Sequence, residues 1–310
     1  MPAVKPIPWI RFSTEVLRLY QPPARRPSTR AKIEQALREL APYCQSTDQL
    51  DPGTISDWLA SRPDRATPTH RSMLSSLRAA CSYGDYQGWM NNPFRFRKLK
   101  DWLPQDEVDE QEEFRRHRSI AEVARLLRQA DQEAQDGVWT SLRLRAVVYT
   151  LAYTGAGNRE VMGLRVTDVD LDHGVIRFRS HPRRRLKRAS RAAILGIPAP
   201  LAEVLAQWLP HTKCEWLFPH KYFTGPWLAG STGSKPLDQV KALGARAGVE
   251  GLTILALRHT IGTHAESWGL SELELQSQLR HSRRATQKHY RHADLDLRRQ
   301  TAAKIRYSED

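Results

Sequence analysis

Seven carboxylates and no basic side chain fall within residues 101–114, in a chain whose remainder is strongly basic. The 310 residues hold 48 Lys and Arg against 34 Asp and Glu, a net charge of +14. Residues 1–100 carry a net +8 and residues 115–310 a net +13, so the acidic stretch separates two basic blocks. A run of like charges repels itself and stays solvated, which makes 101–114 a linker and requires each flanking block to bury a core of its own. Hydrophobic residues at 40% and nine tryptophans supply apolar surface for two such cores. Phosphate repels an acidic segment, so the linker is expected to face away from any nucleic acid that the blocks bind.

Net charge of this sign and size points to a polyanion, with nucleic acid ahead of a membrane surface. No apolar run of spanning length and no signal-peptide pattern is found, so no membrane partner and a cytoplasmic, nucleoid-associated location are expected. Cys44, Cys81 and Cys214 are odd in number and scattered. They match neither a disulfide framework nor a zinc site, and read as packing residues in a reducing compartment.

Hydrophobic spacing predicts mostly helix. Residues 1–27 are rich in proline and read as an N-terminal arm with one brief helix around the apolar patch from Trp9 to Tyr20. Ser28 or Thr29 can cap a helix over Ala31–Tyr43, a second starts near Asp51-Pro52, and a third runs from about Thr69 to Tyr83. In the second block Ser119 with Glu122 forms a capping box. A helix over residues 139–153 follows and breaks at the glycines of Thr154-Gly155-Ala156-Gly157. Val175 to Arg179 alternates as a strand does, with Ala192–Ile197 as its expected partner. Between them, from Arg177 to Arg191, stand eight Lys and Arg and no acid. Helices are expected again from Leu201 to Leu209 and from Lys235 onward.

The last sixth of the chain carries candidate chemistry: Leu257-Arg258-His259-Thr260, then Leu279-Arg280-His281-Ser282, then His289-Tyr290. Arg258 and His281 are 23 residues apart, and Tyr290 follows His281 by nine. A tyrosine that cuts DNA needs positive charge around the scissile phosphate and a proton donor for the leaving oxygen. Each residue alone has a plainer reading: Arg258 as the partner of a buried acid, His281 as a satisfied core histidine, Tyr290 as core.

Together, these residues and spacings resemble the C-terminal box of the tyrosine recombinases, the phage integrase family: H-x-x-R, then L-G-H, then tyrosine nine residues on. Thr154-Gly155, Glu160 and Gly163-Leu164 also match the family's T-G-x-R-x-x-E-x-x-G-L, and Leu186-Lys187 with Ser190-Arg191 resembles its hairpin L-K-T…S-R. The resemblance covers roughly residues 28–295. It implies a mainly α fold with a small antiparallel β-sheet, built as a two-domain DNA clamp. Residues 28–100 correspond to the helical core-binding (SAM-like) domain and 115–310 to the integrase-like catalytic domain. In that reading Tyr290 is the nucleophile, Arg258 and His281 bind the phosphate, and Lys187 is the general acid. Arg183, Arg184, Arg185, Arg188 and Arg191 are phosphate-backbone contacts. No metal and no cofactor are implied. The partner is double-stranded DNA, with a second copy or an active recombinase beside it.

Two positions depart from the pattern. The family's first arginine falls on Gly157 and its first histidine on Leu255. Neither can donate a side-chain hydrogen bond. Arg159 is a substitute for the first only if its segment is not helical, because two residues on a helix are turned by about 200°. His259 lies about 100° from Arg258 on a helix. Removing one preorganised donor costs about 2.7–4 kcal/mol at the transition state. The expectation is therefore an integrase-like DNA-binding protein with strand cleavage impaired. One alternative is an active site-specific recombinase; another is a helical adaptor that binds RNA or acidic proteins.

Overall fold

The computed structural model describes residues 4–21, 27–96, 98–103, 117–181, 186, 192–222, 225–227, 235–280 and 295–307. The chain divides into two compact units, Met1–Asp109 and Glu110–Asp310. Both are dominated by helices, and the second carries a small antiparallel sheet.

The first unit holds α1 (Trp9–Leu19), α2 (Pro27–Leu40), α3 (Pro52–Ala60) and α4 (Thr67–Tyr86). The brief helix expected around Trp9 to Tyr20 is α1, 11 residues long, but it packs into the core of this unit and is not an arm. Trp9, Phe12 and Val16 recur on one face of α1 and are buried, and the Trp9 indole donates to the Leu37 carbonyl at 3.0 Å. That spacing puts a continuous apolar stripe against α2 and α4, which outweighs the prolines on either side. The start of α3 is as the sequence requires: the Asp51 carboxylate accepts from the Thr54 amide at 2.7 Å, with Pro52 at the first turn. Ile33, Leu37, Ile55, Trp58, Leu74 and Leu77 fill the centre. Cys44 and Cys81 are buried among them and unbridged, and burial pushes the Cys44 thiol up to about 11, which keeps it unreactive.

The second unit is organised around α6 (Trp139–Thr154), packed by α5 (Ile120–Ala134), α8 (Ala199–Trp208) and α10 (Ile254–His264). From Ala146 to Thr154 every residue of α6 is buried, as expected for a helix covered on all sides. The capping box before α5 is formed in full: the Ser119 hydroxyl accepts from the Glu122 amide, and the Glu122 carboxylate accepts from the Ser119 amide at 2.8 Å. Gly155 ends α6 with φ of 57°, the left-handed region, and a Cβ there would meet Leu279 at 2.9 Å. The short α7 (Asn158–Val161) follows.

The sheet runs β1 (Val169–Asp170), β2 (Val175–Phe178), β3 (Ala193–Gly196), all neighbours antiparallel. Val175 pairs with Gly196 and Phe178 with Ala193. The expected strand pair is present; β1 is an addition to it, because two residues are too short for an alternation to show. α12 (Leu295–Ala303) covers β3, with the Arg298 guanidinium on the Ile194 carbonyl. Gly196 permits this approach, since a Cβ would run into the Arg298 backbone. The remaining helices are α9 (Pro236–Arg246) and α11 (Glu272–Leu279). Among the described residues no helix is long and apolar enough to cross a membrane, and no cluster of three or more metal-ligating side chains occurs.

Candidate active site

Three positions that the sequence singles out meet at one cavity. Gly157, Asn158, Leu237, Thr253 and Ile254 line it together with Leu255 and Arg258, around a volume of about 290 Å³. Gly157 and Asn158 come from the start of α7, Thr253 to Arg258 from the start of α10, and Leu237 from α9. The Thr253 hydroxyl caps α10 by accepting from the Ala256 amide at 3.0 Å, which fixes the first turn and hence the direction of Leu255 and Arg258.

Leu255 and Arg258 are one turn apart on the same face of α10, yet their environments differ. Leu255 is 59% exposed, a large apolar side chain turned to solvent at the cavity. Arg258 is buried; its Nη1 donates to the Gly155 carbonyl at 2.7 Å and its Nη2 to the Leu279 carbonyl. These two acceptors are dipoles, and they hold the guanidinium in place without cancelling its charge. His259 is exposed, on a different face from the buried Arg258.

The turn from α6 to α7 supplies the other wall. Gly157 is the N-cap of α7, and its amide donates to the Glu160 carboxylate at 3.0 Å. Glu160 is buried. Arg159 lies on the helical α7, is exposed, and is absent from the residues lining the cavity. The segment is helical, so the rotation that separates residues 157 and 159 applies.

Two features lie beyond the reach of the motifs. The first is Arg280, the C-cap of α11, whose guanidinium is buried against Glu160. The only warning in the sequence is that an arginine stands where the family's box has glycine. The second stands just before the basic stretch that begins at Arg183. Asp168 is fully buried and accepts from the Arg165 amide at 2.9 Å, Arg179 Nε at 2.5 Å and His181 Nε2 at 2.8 Å. A carboxylate can only accept, so His181 carries a proton on Nε2. This cluster includes His181, the last described residue before that stretch. No local pattern could reveal it, because it joins a turn before β1 to the end of β2.

Lys187, His281 and Tyr290 lie outside the described residues, as do Arg183, Arg184, Arg185, Arg188 and Arg191. The structure therefore brings together Arg258, Gly157 and Leu255 of the residues the sequence selected.

Comparison with known proteins agrees with the motifs. The profile of the phage integrase family matches residues 120–296. Tyrosine recombinase XerC of Mycobacterium leprae (strain TN) is 25% identical over 262 residues, covering 79% of this chain and 80% of that one. Among solved structures, a Tn1549 transposon integrase fragment in complex with a circular intermediate DNA has a TM-score of 0.65 at 19% identity, covering 97% of this chain and 100% of that one. XerH site-specific recombinase bound to difH substrate, a pre-cleavage complex, has a TM-score of 0.60 at 16% identity, covering 90% and 76%. At such identities the two structures establish likeness of fold.

Proposed function

The chain belongs to the phage integrase family, and from that membership we propose that it binds a duplex DNA site of integration or site-specific recombination, with strand cleavage through Tyr290 impaired. The observation that carries the second half is the wall of the cavity beside Arg258. Glycine at 157 and leucine at 255 present no side-chain donor where the family pattern has arginine and histidine. The phosphorane formed during cleavage carries more negative charge than the phosphodiester, so donors at those two positions act selectively on the transition state. The losses are not additive, but two in one pocket are harder to offset than one.

In the proposed reaction the Tyr290 oxygen attacks phosphorus, its phenol proton passes to solvent, and a 3′-phosphotyrosine forms as the bond to the 5′ oxygen breaks. The 5′ oxygen leaves with a proton from Lys187. Arg258 and His281 bind the non-bridging oxygens. The link stores the energy of the broken phosphodiester, so no nucleotide cofactor is used. Arg183, Arg184, Arg185, Arg188 and Arg191 contact the DNA backbone and set affinity, not sequence. The partner is double-stranded DNA, with a second copy or an active recombinase on the same site; the Tn1549 integrase neighbour, in complex with a circular intermediate DNA, supports a DNA partner.

The test is covalent capture. Sites are first selected by binding from a randomised duplex pool, then nicked so that cleavage cannot reverse. The wild-type chain is expected to bind and leave little adduct, Leu255→His to leave more, and Leu255→His with Tyr290→Phe to leave none. Efficient adduct formation by the unaltered chain overturns the impaired reading. Salt-dependent affinity for RNA without affinity for duplex DNA overturns the reading as a whole.

A further inference from the structure

Arg280 is the only non-glycine residue with positive φ among the described residues, at 55°. A left-handed helix C-cap is ordinarily a glycine position, because a Cβ is unfavourable there. Here the position holds one of the largest side chains, and that side chain is buried. Its Nη2 meets Glu160 Oε2 at 3.1 Å, and its Nη1 donates to the carbonyls of Thr154 at 3.2 Å and Gln278 at 3.0 Å. The guanidinium also stacks over Phe178 of β2, 4.7 Å from the ring centroid. The same Glu160 oxygen accepts from the Gly157 amide at 3.0 Å. The carboxylate is thus held between the backbone of residue 157 and the cation of residue 280.

Arg258 grips the neighbouring carbonyls. It holds Gly155 and Leu279, where Arg280 holds Thr154 and Gln278. Two arginines therefore join the same two chain segments, one residue apart on each. Each carbonyl that Arg280 holds is thus the chain neighbour of one that holds Arg258.

We infer that Arg280 supplies the cation that the α6–α7 turn lacks at Gly157, an exchange of arginine from position 157 to position 280, and that it acts as a positioning residue for Arg258. Restoring arginine at 157 alone then puts two guanidinium groups on one carboxylate. Gly157 itself has an ordinary extended backbone, φ −77° and ψ 158°, a conformation open to any residue. The part of this inference that concerns cleavage rests on the function proposed above; the exchange does not.

The experiment uses the full chain with Arg280→Gly, Gly157→Arg and the double variant. Arg280→Gly is expected to lower the melting temperature by about 10 °C, because it removes the cation from a buried carboxylate. The double variant is expected to recover at least about half of that loss, since the new arginine replaces the missing cation at Glu160. Additive shifts, with the double variant no more stable than the sum of the singles, overturn the exchange. Where Arg280→Gly does not fold, Glu160→Gln is added; a chain that folds again supports the exchange, and one that does not overturns it. The positioning role is read in the Leu255→His background by adduct yield at saturating DNA. Arg280→Gly is expected to lower the yield about a hundredfold, as a misaimed group does. Duplex affinity should stay within about twofold, because backbone contacts dominate it. An unchanged yield in Arg280→Gly overturns positioning. No adduct from any variant, Leu255→His included, overturns the cleavage reading and leaves the melting cycle to decide the exchange.

Discussion

Leu255 precedes Arg258 by one turn of α10, and an exposed leucine and a buried arginine face the same cavity. The family pattern has histidine and arginine at this i, i+3 spacing, and here the first member is apolar. Because Leu255 touches solvent, its replacement is inexpensive. Leu255→His is expected to change unfolding free energy by no more than about 0.5 kcal/mol. The same change should raise adduct yield by about a hundredfold if the imidazole reaches the phosphate. Urea melts and covalent capture on the selected duplex check the two halves. A loss of several kcal/mol would mean that the leucine is packed in a way its exposure does not indicate.

Arg258 behaves in the opposite sense. Its side chain satisfies two buried carbonyls, Gly155 and Leu279, so Arg258→Ala removes two charge-assisted hydrogen bonds and opens space behind Gly155. The expected cost is about 3–5 kcal/mol of unfolding free energy. Arg258→Lys should cost less, because an ammonium group keeps one carbonyl. If Arg258→Ala were as stable as the parent, the two carbonyls would have to find water, and the arginine would be free to serve the phosphate alone.

Most local structure is legible in the sequence because its causes are local. Ser119 with Glu122, Asp51-Pro52, and the glycine break after Thr154 each act over three or four residues, and each forms as the pattern requires. The strand pair at 175–197 is visible through its alternation. The first helix shows in its apolar patch, but its place in the core does not, because the stripe Trp9, Phe12, Val16 is covered only once α2 and α4 exist. The Glu160–Arg280 pair spans 120 residues of chain, and nothing near Glu160 announces it. Arg258, Gly157 and Leu255 can be grouped before any fold is known only because a family pattern supplies the long-range register.

The basic loop should set affinity without setting sequence. Replacing Arg183, Arg184 and Arg185 together with alanine is expected to weaken binding to all duplexes. The slope of log K against log salt should fall by about 0.9 for each phosphate that the loop no longer neutralises. Fluorescence anisotropy across a salt series reads this directly. An unchanged slope would take the loop out of the DNA interface.

The root of that loop is a separate matter. Asp168 holds Arg179 and His181 from full burial. Asp168→Asn keeps the shape and removes the charge. The expected cost is about 2–3 kcal/mol, below the ~3–5 for a fully buried pair, because Arg179 is half exposed and can be hydrated. Duplex affinity should fall with it, since the strand end that carries the loop loses its anchor. A drop in stability with no change in affinity would separate the anchor from DNA binding.

Acid should loosen the C-terminal segment at a definite point. Glu274 caps α11 and is also bonded to Lys304 at 2.8 Å and Thr301 at 3.2 Å, so one carboxylate ties α11 to the end of α12. Burial works against its ionised form, yet the hydrogen bonds from Lys304 and Ser271 hold its pKa down to about 2, below an ordinary value of 4.5. A carboxylate whose folded pKa is depressed stabilises the fold fully above its unfolded value and loses that contribution as pH falls through the folded one. The loss from this group should therefore begin near pH 4.5 and be complete near pH 2. At neutral pH it should be silent. Glu274→Gln is expected to be less stable than the parent at neutral pH and to close the gap in that acid window. Urea melts across that acid window and up to neutrality test it: a difference between parent and Glu274→Gln that does not shrink below pH 4.5 would show that packing, not charge, ties the two helices together.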